Sequence, residues 1–268
     1  MRGFPSPRSA LYLPASNARA VEKARGLAAD LVVLDLEDAV KPELKAEARA
    51  AAIAAAANFG KPVAIRINAV NTEWHEADVS AVAASRADVI VVPKAESPDA
   101  LLALAVRINK PLIPMIESSL GVYNARQIAA ARGVAGVFVG NNDLAIALKV
   151  PFAREGLVTA LQLIVLAARA AGVWVLDGVY NALDDATGFA DECAHGRRIG
   201  FDGKTLIHPN QIAPCNAAFS PSDAELEDAR ALIEAAVNGA QRFRGRMVEA
   251  MHIDAARALV ARSMSPKI

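Results

Sequence analysis

Aromatic residues are scarce in this 268-residue chain, 5% against 54% hydrophobic residues overall. Its core must therefore be aliphatic and rich in alanine. There is no surplus of charge either: 29 basic residues balance 29 acidic ones. That removes the electrostatic footprint of a protein whose main partner is nucleic acid or an anionic membrane. With only two cysteines, Cys193 and Cys215, a disulfide framework is excluded. One bridge is arithmetically possible, but two free thiols in a reducing compartment is the expectation. Long apolar runs are missing as well. The stretch "ALQLIVLAARAAGVWVL" (160–176) is broken by Arg169 and Gly172, and nothing approaches the roughly twenty clean apolar residues of a membrane span. The opening "MRGFPSPRSALYLPAS" lacks the apolar centre of a signal peptide. A soluble, cytoplasmic protein is expected.

What the chain does have is a recurring short run of Val, Ile and Leu: "ALYLP" (10–14), "LVVLDLE" (31–37), "VAIRIN" (63–68), "VIVVPK" (89–94), "PLIPMIE" (111–117), "GVFVG" (136–140), "VWVLDG" (173–178) and "KTLIHP" (204–209). Continuous apolar runs suit strands buried on both faces of a parallel sheet. Between them lie segments of helical composition. "PELKAEARAAAIAAAANFG" opens on Pro42 and closes on Gly60, and "SPDALLALAVRI" opens on Ser97 and Pro98 as N-cap and first turn. Eight strands alternating with helices is the count of a (β/α)8 TIM barrel; a doubly wound open sheet shares the alternation. Residues 1–219 are expected to form the barrel. Residues 220–268 read as a helical C-terminal extension of the same domain, two helices with "QRFRGRMVEAM" between them.

Polar residues collect where these strands end: Asp35, Glu37 and Asp38 after the second, Arg66 and Asn68 at the third, Lys94 at the fourth and Glu117 at the fifth. Asn141, Asn142 and Asp143 follow the sixth, with Asp177 on the seventh and His208 on the eighth. In a barrel these ends converge on the face that carries active sites; in any fold, polar residues also mark where strands meet loops. Arg66, held between Ile65 and Ile67, needs an anionic partner or ligand. Glu117 and Asp143 end neighbouring strands, and two facing carboxylates repel unless a cation lies between them. Hard oxygen ligands with no Cys or His cluster nearby favour Mg²⁺ over zinc. Asp143 has a second reading as the N-cap of the helix after the sixth strand. Backbone N–H groups of Gly140–Asn141–Asn142 would offer an anion site at that helix start. A metal, an arginine and a helix N-terminus together suit a 2-oxo acid, whose carbonyl the metal would polarise.

These blocks resemble the β subunit of citrate lyase and its relatives, the malyl-CoA and citramalyl-CoA lyases of the HpcH/HpaI aldolase superfamily. The similarity runs through "RSALYLPASNARAVEKA", "DLVVLDLEDAVKPELKAEAR", "VAIRIN", "VVPKAES", "MIESSLGV", "VGNNDLA", "LDGVYNALDD", "GFDGKTLIHPNQI" and "AFSPSDAEL", in order and over nearly the whole chain. The resemblance implies a Mg²⁺-dependent TIM barrel assembling as a homotrimer or hexamer. Its metal ligands fall on Glu117 and Asp143, and its oxo-acid-binding arginine falls on Arg66. "GFDGKTLIHPNQI" corresponds to the region near the CoA or acyl-carrier arm, making Lys204 and His208 structural or thioester-side residues, with His208 read as structural. Lys94 reads as a partner of the "DLED" carboxylates.

The chain departs from the family pattern twice. Ala15 stands where the first block usually has glycine. In the tail, "GRMVEA" places Glu249 where the family has an aspartate that reaches into the neighbouring subunit's site as acid/base. The carboxylate is kept but is one methylene longer. The implied activity is carbon–carbon cleavage or condensation of a 3-hydroxy-3-carboxyacyl thioester (citryl-, malyl- or citramalyl-CoA), with Arg66 and Glu249 as catalytic residues. Hydrolysis of the product thioester is a second activity within reach. Two alternatives stand beside it. One is a partner-dependent or non-catalytic subunit that binds an oxo acid. The other is a CoA-independent aldolase, disfavoured because such relatives use a histidine early in the barrel and the first histidine here is His75.

Overall fold

The computed structural model describes residues 4–236 and 239–264. Eight parallel strands close on themselves in chain order: β1 (Ser9–Pro14), β2 (Leu31–Asp35), β3 (Val63–Arg66), β4 (Val89–Val92), β5 (Leu112–Ile116), β6 (Gly136–Val139), β7 (Trp174–Asp177) and β8 (Gly203–Leu206). Each pairs with its sequence neighbours, and β1 also pairs with β8, Ala10 opposite Thr205. The fold is the (β/α)8 barrel, and the open-sheet alternative is removed by that last pairing.

The eight apolar runs became strands because each is buried on both faces. One set of side chains (Ala10, Leu31, Val33, Ala64, Val89, Val91, Ile113, Met115, Phe138, Trp174, Leu176) fills the barrel interior. Their neighbours, such as Val32, Leu34, Ile65, Ile90 and Val175, pack outward against the helices. With few aromatics available, the barrel floor is closed by Phe138 and Trp174, ring centroids 6.0 Å apart. Gly136 makes room for them, because a methyl there would run into the Trp174 indole.

Helix ends follow their chemistry. Ser97 accepts from the Ala100 N–H and caps the helix Pro98–Ile108. After the 3-10 turn Pro42–Leu44, the helix Lys45–Ala56 precedes Gly60, which sits at φ +85° where a side chain would be strained. Cys193 and Cys215 are buried free thiols.

Beyond the barrel, the helix Asp223–Glu234 starts from a capping box of Ser222 and Glu225. It packs on the helix Ala250–Met264 through Ala229, Leu232, Ile253 and Ala256. The segment between them is not featureless. It forms an antiparallel hairpin, β9 (Gln241–Phe243) with β10 (Arg246–Val248), turning through Arg244 and Gly245 at positive φ. Val248 is its buried anchor. Among the described residues, no helix is long and apolar enough to cross a membrane.

Candidate active site

Counting by twos along the strands explains the site. Side chains on a strand alternate between faces, and the inward series of the barrel runs on past the apolar layers into polar residues. Leu31 and Val33 lead to Asp35, Ala64 leads to Arg66, Ile113 and Met115 lead to Glu117, and Ala10 leads to Tyr12. These four line a cavity of about 330 Å³ at the C-terminal mouth, with Asp38, Ala39, Met115, Val139, Gly140, Asn141, Asn142, Asp143, Val179 and Ile207.

The same alternation sends other strand-end residues away. Asp177 follows Leu176 and so points outward, where it meets Lys204 at 3.0 Å and Arg154 at 2.9 Å. Lys204 also holds Glu192 at 2.6 Å, and Lys204 and Asp177 are both fully buried. This is an ion-pair cluster between barrel and helix layer, apart from the cavity. Asn68 stands past the end of β3, where the alternation no longer holds, and is turned from the cavity by its partners: it accepts from Lys45 Nζ (2.7 Å) and donates to Asp78 (2.6 Å). His208 caps the 3-10 turn Pro209–Gln211, its Nδ1 accepting from the Asn210 N–H.

Asp35 is the anchor of the mouth. Its carboxylate accepts from the backbone N–H groups of Glu37 and Ala39 and takes Arg66 as a fork, Nε at 2.7 Å and Nη2 at 2.6 Å. The anionic partner that the sequence led us to expect for Arg66 is thus supplied by the protein itself along the side-on edge of the guanidinium. The end-on edge remains, with Nη1 2.8 Å from Glu37 Oε2 and 3.5 Å from Asp38. Tyr12 lies under the guanidinium, ring centroid 5.0 Å from Cζ. Burial holds its phenol protonated, far above the usual range.

Lys45 ties the turn after β2 from behind. Its buried ammonium donates to the Leu36 and Glu37 carbonyls as well as to Asn68. Lys94 sits at φ 50° with its Nζ 3.7 Å from Glu37 Oε1, and its backbone N–H donates to Glu117 Oε1 at 2.6 Å.

Glu117 is 4% exposed. Burial raises its pKa to about 7, against the Lys94 hydrogen bond that lowers it, and the nearby Asp143 charge raises it further. A methyl at Gly140 would come 2.6 Å from Glu117 Cβ, so the glycine leaves room for this carboxylate. The helix Asn141–Leu148 starts at Gly140 as its N-cap, with no side-chain cap. Asp143 is therefore a first-turn residue lining the cavity, not the cap. The Gly140 N–H is spent on the Ile116 carbonyl, and the first intrahelical bond is Leu144 N–H to Gly140. The N–H groups that precede it, of Asn141, Asn142 and Asp143, are the first-turn donors.

The donor set suits Mg²⁺. Two carboxylates and an amide lining one cavity are hard oxygen ligands, and a buried carboxylate with a raised pKa is one that a cation would relieve. No group of three or more His, Cys, Asp or Glu with metal-holding geometry occurs among the described residues. A two-carboxylate Mg²⁺ site completed by water and substrate needs none. Glu249 does not line the cavity of its own chain. It opens the helix Ala250–Met264, with its backbone N–H donating to His252 Nδ1 and its carbonyl accepting from the His252 N–H.

Tyr12 and Lys45 are the parts that sequence reasoning did not name at the site; Glu37 was read among the polar strand ends, without a role of its own. The signal for Tyr12 was present, because it stands two residues after Ala10 in the inward series.

Among known proteins, the chain is 46% identical to (3S)-malyl-CoA thioesterase from Cereibacter sphaeroides, over 96% of this chain and 94% of that protein. It is 33% identical to citrate lyase subunit beta from Escherichia coli, over 96% and 93%. The structure of CitE from Mycobacterium tuberculosis in complex with magnesium, acetoacetate and coenzyme A matches with a TM-score of 0.86 at 32% identity, covering 96% of this chain and 97% of that one. With the HpcH/HpaI aldolase/citrate lyase model matching residues 8–209, the chain belongs to that family.

Proposed function

We propose that this chain is a Mg²⁺-dependent carbon–carbon lyase acting on a 3-hydroxy-3-carboxyacyl-CoA of the malyl-, citramalyl- or citryl- type. The observation that carries the reading is one cavity lined by Glu117, Asp143 and Arg66 together. The M. tuberculosis CitE complexes with magnesium and acetoacetate, pyruvate or oxaloacetate support it. Glu117 and Asp143 would hold the ion, which when bound supplies positive charge at the hydroxy or oxo oxygen. Arg66 and the first-turn N–H groups after Gly140 orient the substrate carboxylate. Asp35 keeps Arg66 from swinging. A base, for which we propose Glu249 from another copy of the chain in a homotrimer or hexamer, takes the hydroxyl proton. As the carbonyl forms, the carbon–carbon bond breaks, its electron pair passes to the thioester as an enolate, and a proton returns to that carbon.

The 46% identity to a malyl-CoA thioesterase favours a second reading, hydrolysis of the thioester to the free hydroxy acid and CoA. One assay separates the two. Purified protein with Mg²⁺ is given each thioester, and 2-oxo acid and free CoA thiol are followed in parallel. Lyase activity releases oxo acid without thiol in the first turnovers; hydrolysis releases thiol without oxo acid. Arg66→Ala should lower kcat/KM on the true substrate by about a hundredfold or more, the scale of losing an orienting group. Neither product from any of the thioesters would overturn the proposal.

A further inference from the structure

Glu37 is the odd carboxylate at this mouth. It is 5% exposed, and its Oε2 lies 2.8 Å from Arg66 Nη1, yet neither oxygen makes an aligned hydrogen bond among the described residues. Asp35, by contrast, is fully bonded. Around Glu37 stand Arg66 from β3, Lys94 after β4, Glu117 after β5, Tyr12 from β1, Asp35 and Asp38 on its own turn, and Lys45 from the helix behind. Asp35, Glu37, Asp38, Glu117 and Asp143 thus crowd around Arg66, Lys94 and Lys45. A substrate carboxylate arriving at Arg66 must compete with one of them.

Asp35 cannot yield, because it holds both the guanidinium and the turn. Glu37 can, since it is attached to Arg66 by charge and proximity alone.

We propose that Glu37 is an internal stand-in for the substrate carboxylate: it occupies the end-on edge of Arg66 and takes up a proton when a carboxylate ligand displaces it. It is a positioning residue, acting through Arg66. The inference rests on the oxo-acid reading of the cavity. Burial supports it, raising the Glu37 carboxyl to about 8 in the metal-free chain in spite of the adjacent arginine.

The sign follows from competition. Where Glu37 is neutral it leaves Arg66 to the ligand; where it is ionised it must be reprotonated first, so above its pKa in the Mg²⁺-bound protein the apparent Kd climbs about tenfold per pH unit.

The experiment is calorimetric binding of pyruvate at saturating, fixed Mg²⁺ between pH 6.5 and 9.5, in two buffers of different ionisation enthalpy. Wild-type protein is expected to show a Kd that rises toward tenfold per pH unit at the alkaline end, with uptake approaching one proton per pyruvate at pH 9. Glu37→Gln, which cannot ionise, should bind with a flat Kd across the range and take up none. A Glu37→Gln protein that keeps the wild-type slope would overturn the proposal. Should that variant not fold, the wild-type protein decides alone, and zero proton uptake at pH 9 overturns it. Absence of pyruvate binding at every pH is a different failure, since it removes the oxo-acid reading and this inference with it.

Discussion

At the scale of single residues, the chemistry turns on carboxylates placed where water is scarce. An Asp or Glu at a strand end is ordinary. Glu117 is not, because Lys94 N–H, the Gly140 gap and the barrel wall confine it. Its pKa of about 7 has a direct consequence for metal binding. Mg²⁺ requires the ionised form, so protons compete with it below that value. Apparent Mg²⁺ affinity should therefore fall by about tenfold for each pH unit below 7 and level off above it. Calorimetric Mg²⁺ titration from pH 5.5 to 8.5 measures this. Glu117→Gln should lose both the affinity and the pH dependence.

At the scale of elements, the alternation of strand side chains sorts the polar residues into two groups. Asp35, Arg66 and Glu117 continue the inward series and belong to the cavity, whereas Asp177 and Lys204 lie on the outward series and serve the seam between barrel and helices. Removing one partner of a fully buried ion pair leaves an uncompensated charge, which costs about 3–5 kcal/mol. Lys204→Ala should lose stability of that order in urea denaturation, since Asp177 and Glu192 would keep only Arg154. Mg²⁺ affinity of the protein that remains folded should be unchanged, because the cluster faces away from the cavity. An equal loss of Mg²⁺ affinity would place Lys204 in the site instead.

The same alternation shows how much was legible beforehand. Eight apolar runs, their order and the polar ends were all readable, and so was the convergence of Glu117 and Asp143 on one cavity. The inward-or-outward sense of each polar end was readable in principle by counting from an apolar neighbour, but only once the strand limits were known. The hairpin β9–β10 was not foreseen. Its strands are three residues each and mostly exposed, so no periodic apolar pattern marks them. What turns the chain there is the positive φ of Arg244 and Gly245.

At the scale of the whole molecule, the cavity of one chain carries the proposed metal ligands and the arginine, but Glu249 stands on the C-terminal extension and outside the cavity lining. If Glu249 serves the site of another copy, then sites are shared between chains. Arg66→Ala and Glu249→Gln proteins, each inactive or nearly so, should recover a substantial part of the activity when mixed and allowed to exchange subunits. Such mixed assemblies contain sites with one intact Arg66 and one intact Glu249. Failure of the mixture to exceed the sum of its parts, with exchange verified by a size or label shift, would remove Glu249 from the reaction.

By itself the sequence determined eight buried strands alternating with helices, and the polar inventory of their ends. Runs of Val, Ile and Leu with no polar alternation can be buried only on both faces, which calls for a parallel sheet covered by helices; that the eight strands close into a ring was decided by β1 pairing with β8. The sequence also determined that carboxylates and an arginine would gather at one end, because every strand runs in the same direction. Only the tertiary structure decided which of those groups share a space. Asp35 and Arg66 lie 31 positions apart along the chain, and their fork, the confinement of Glu117 and the loosely held Glu37 arise from contacts across the barrel mouth that exist only once the ring is closed.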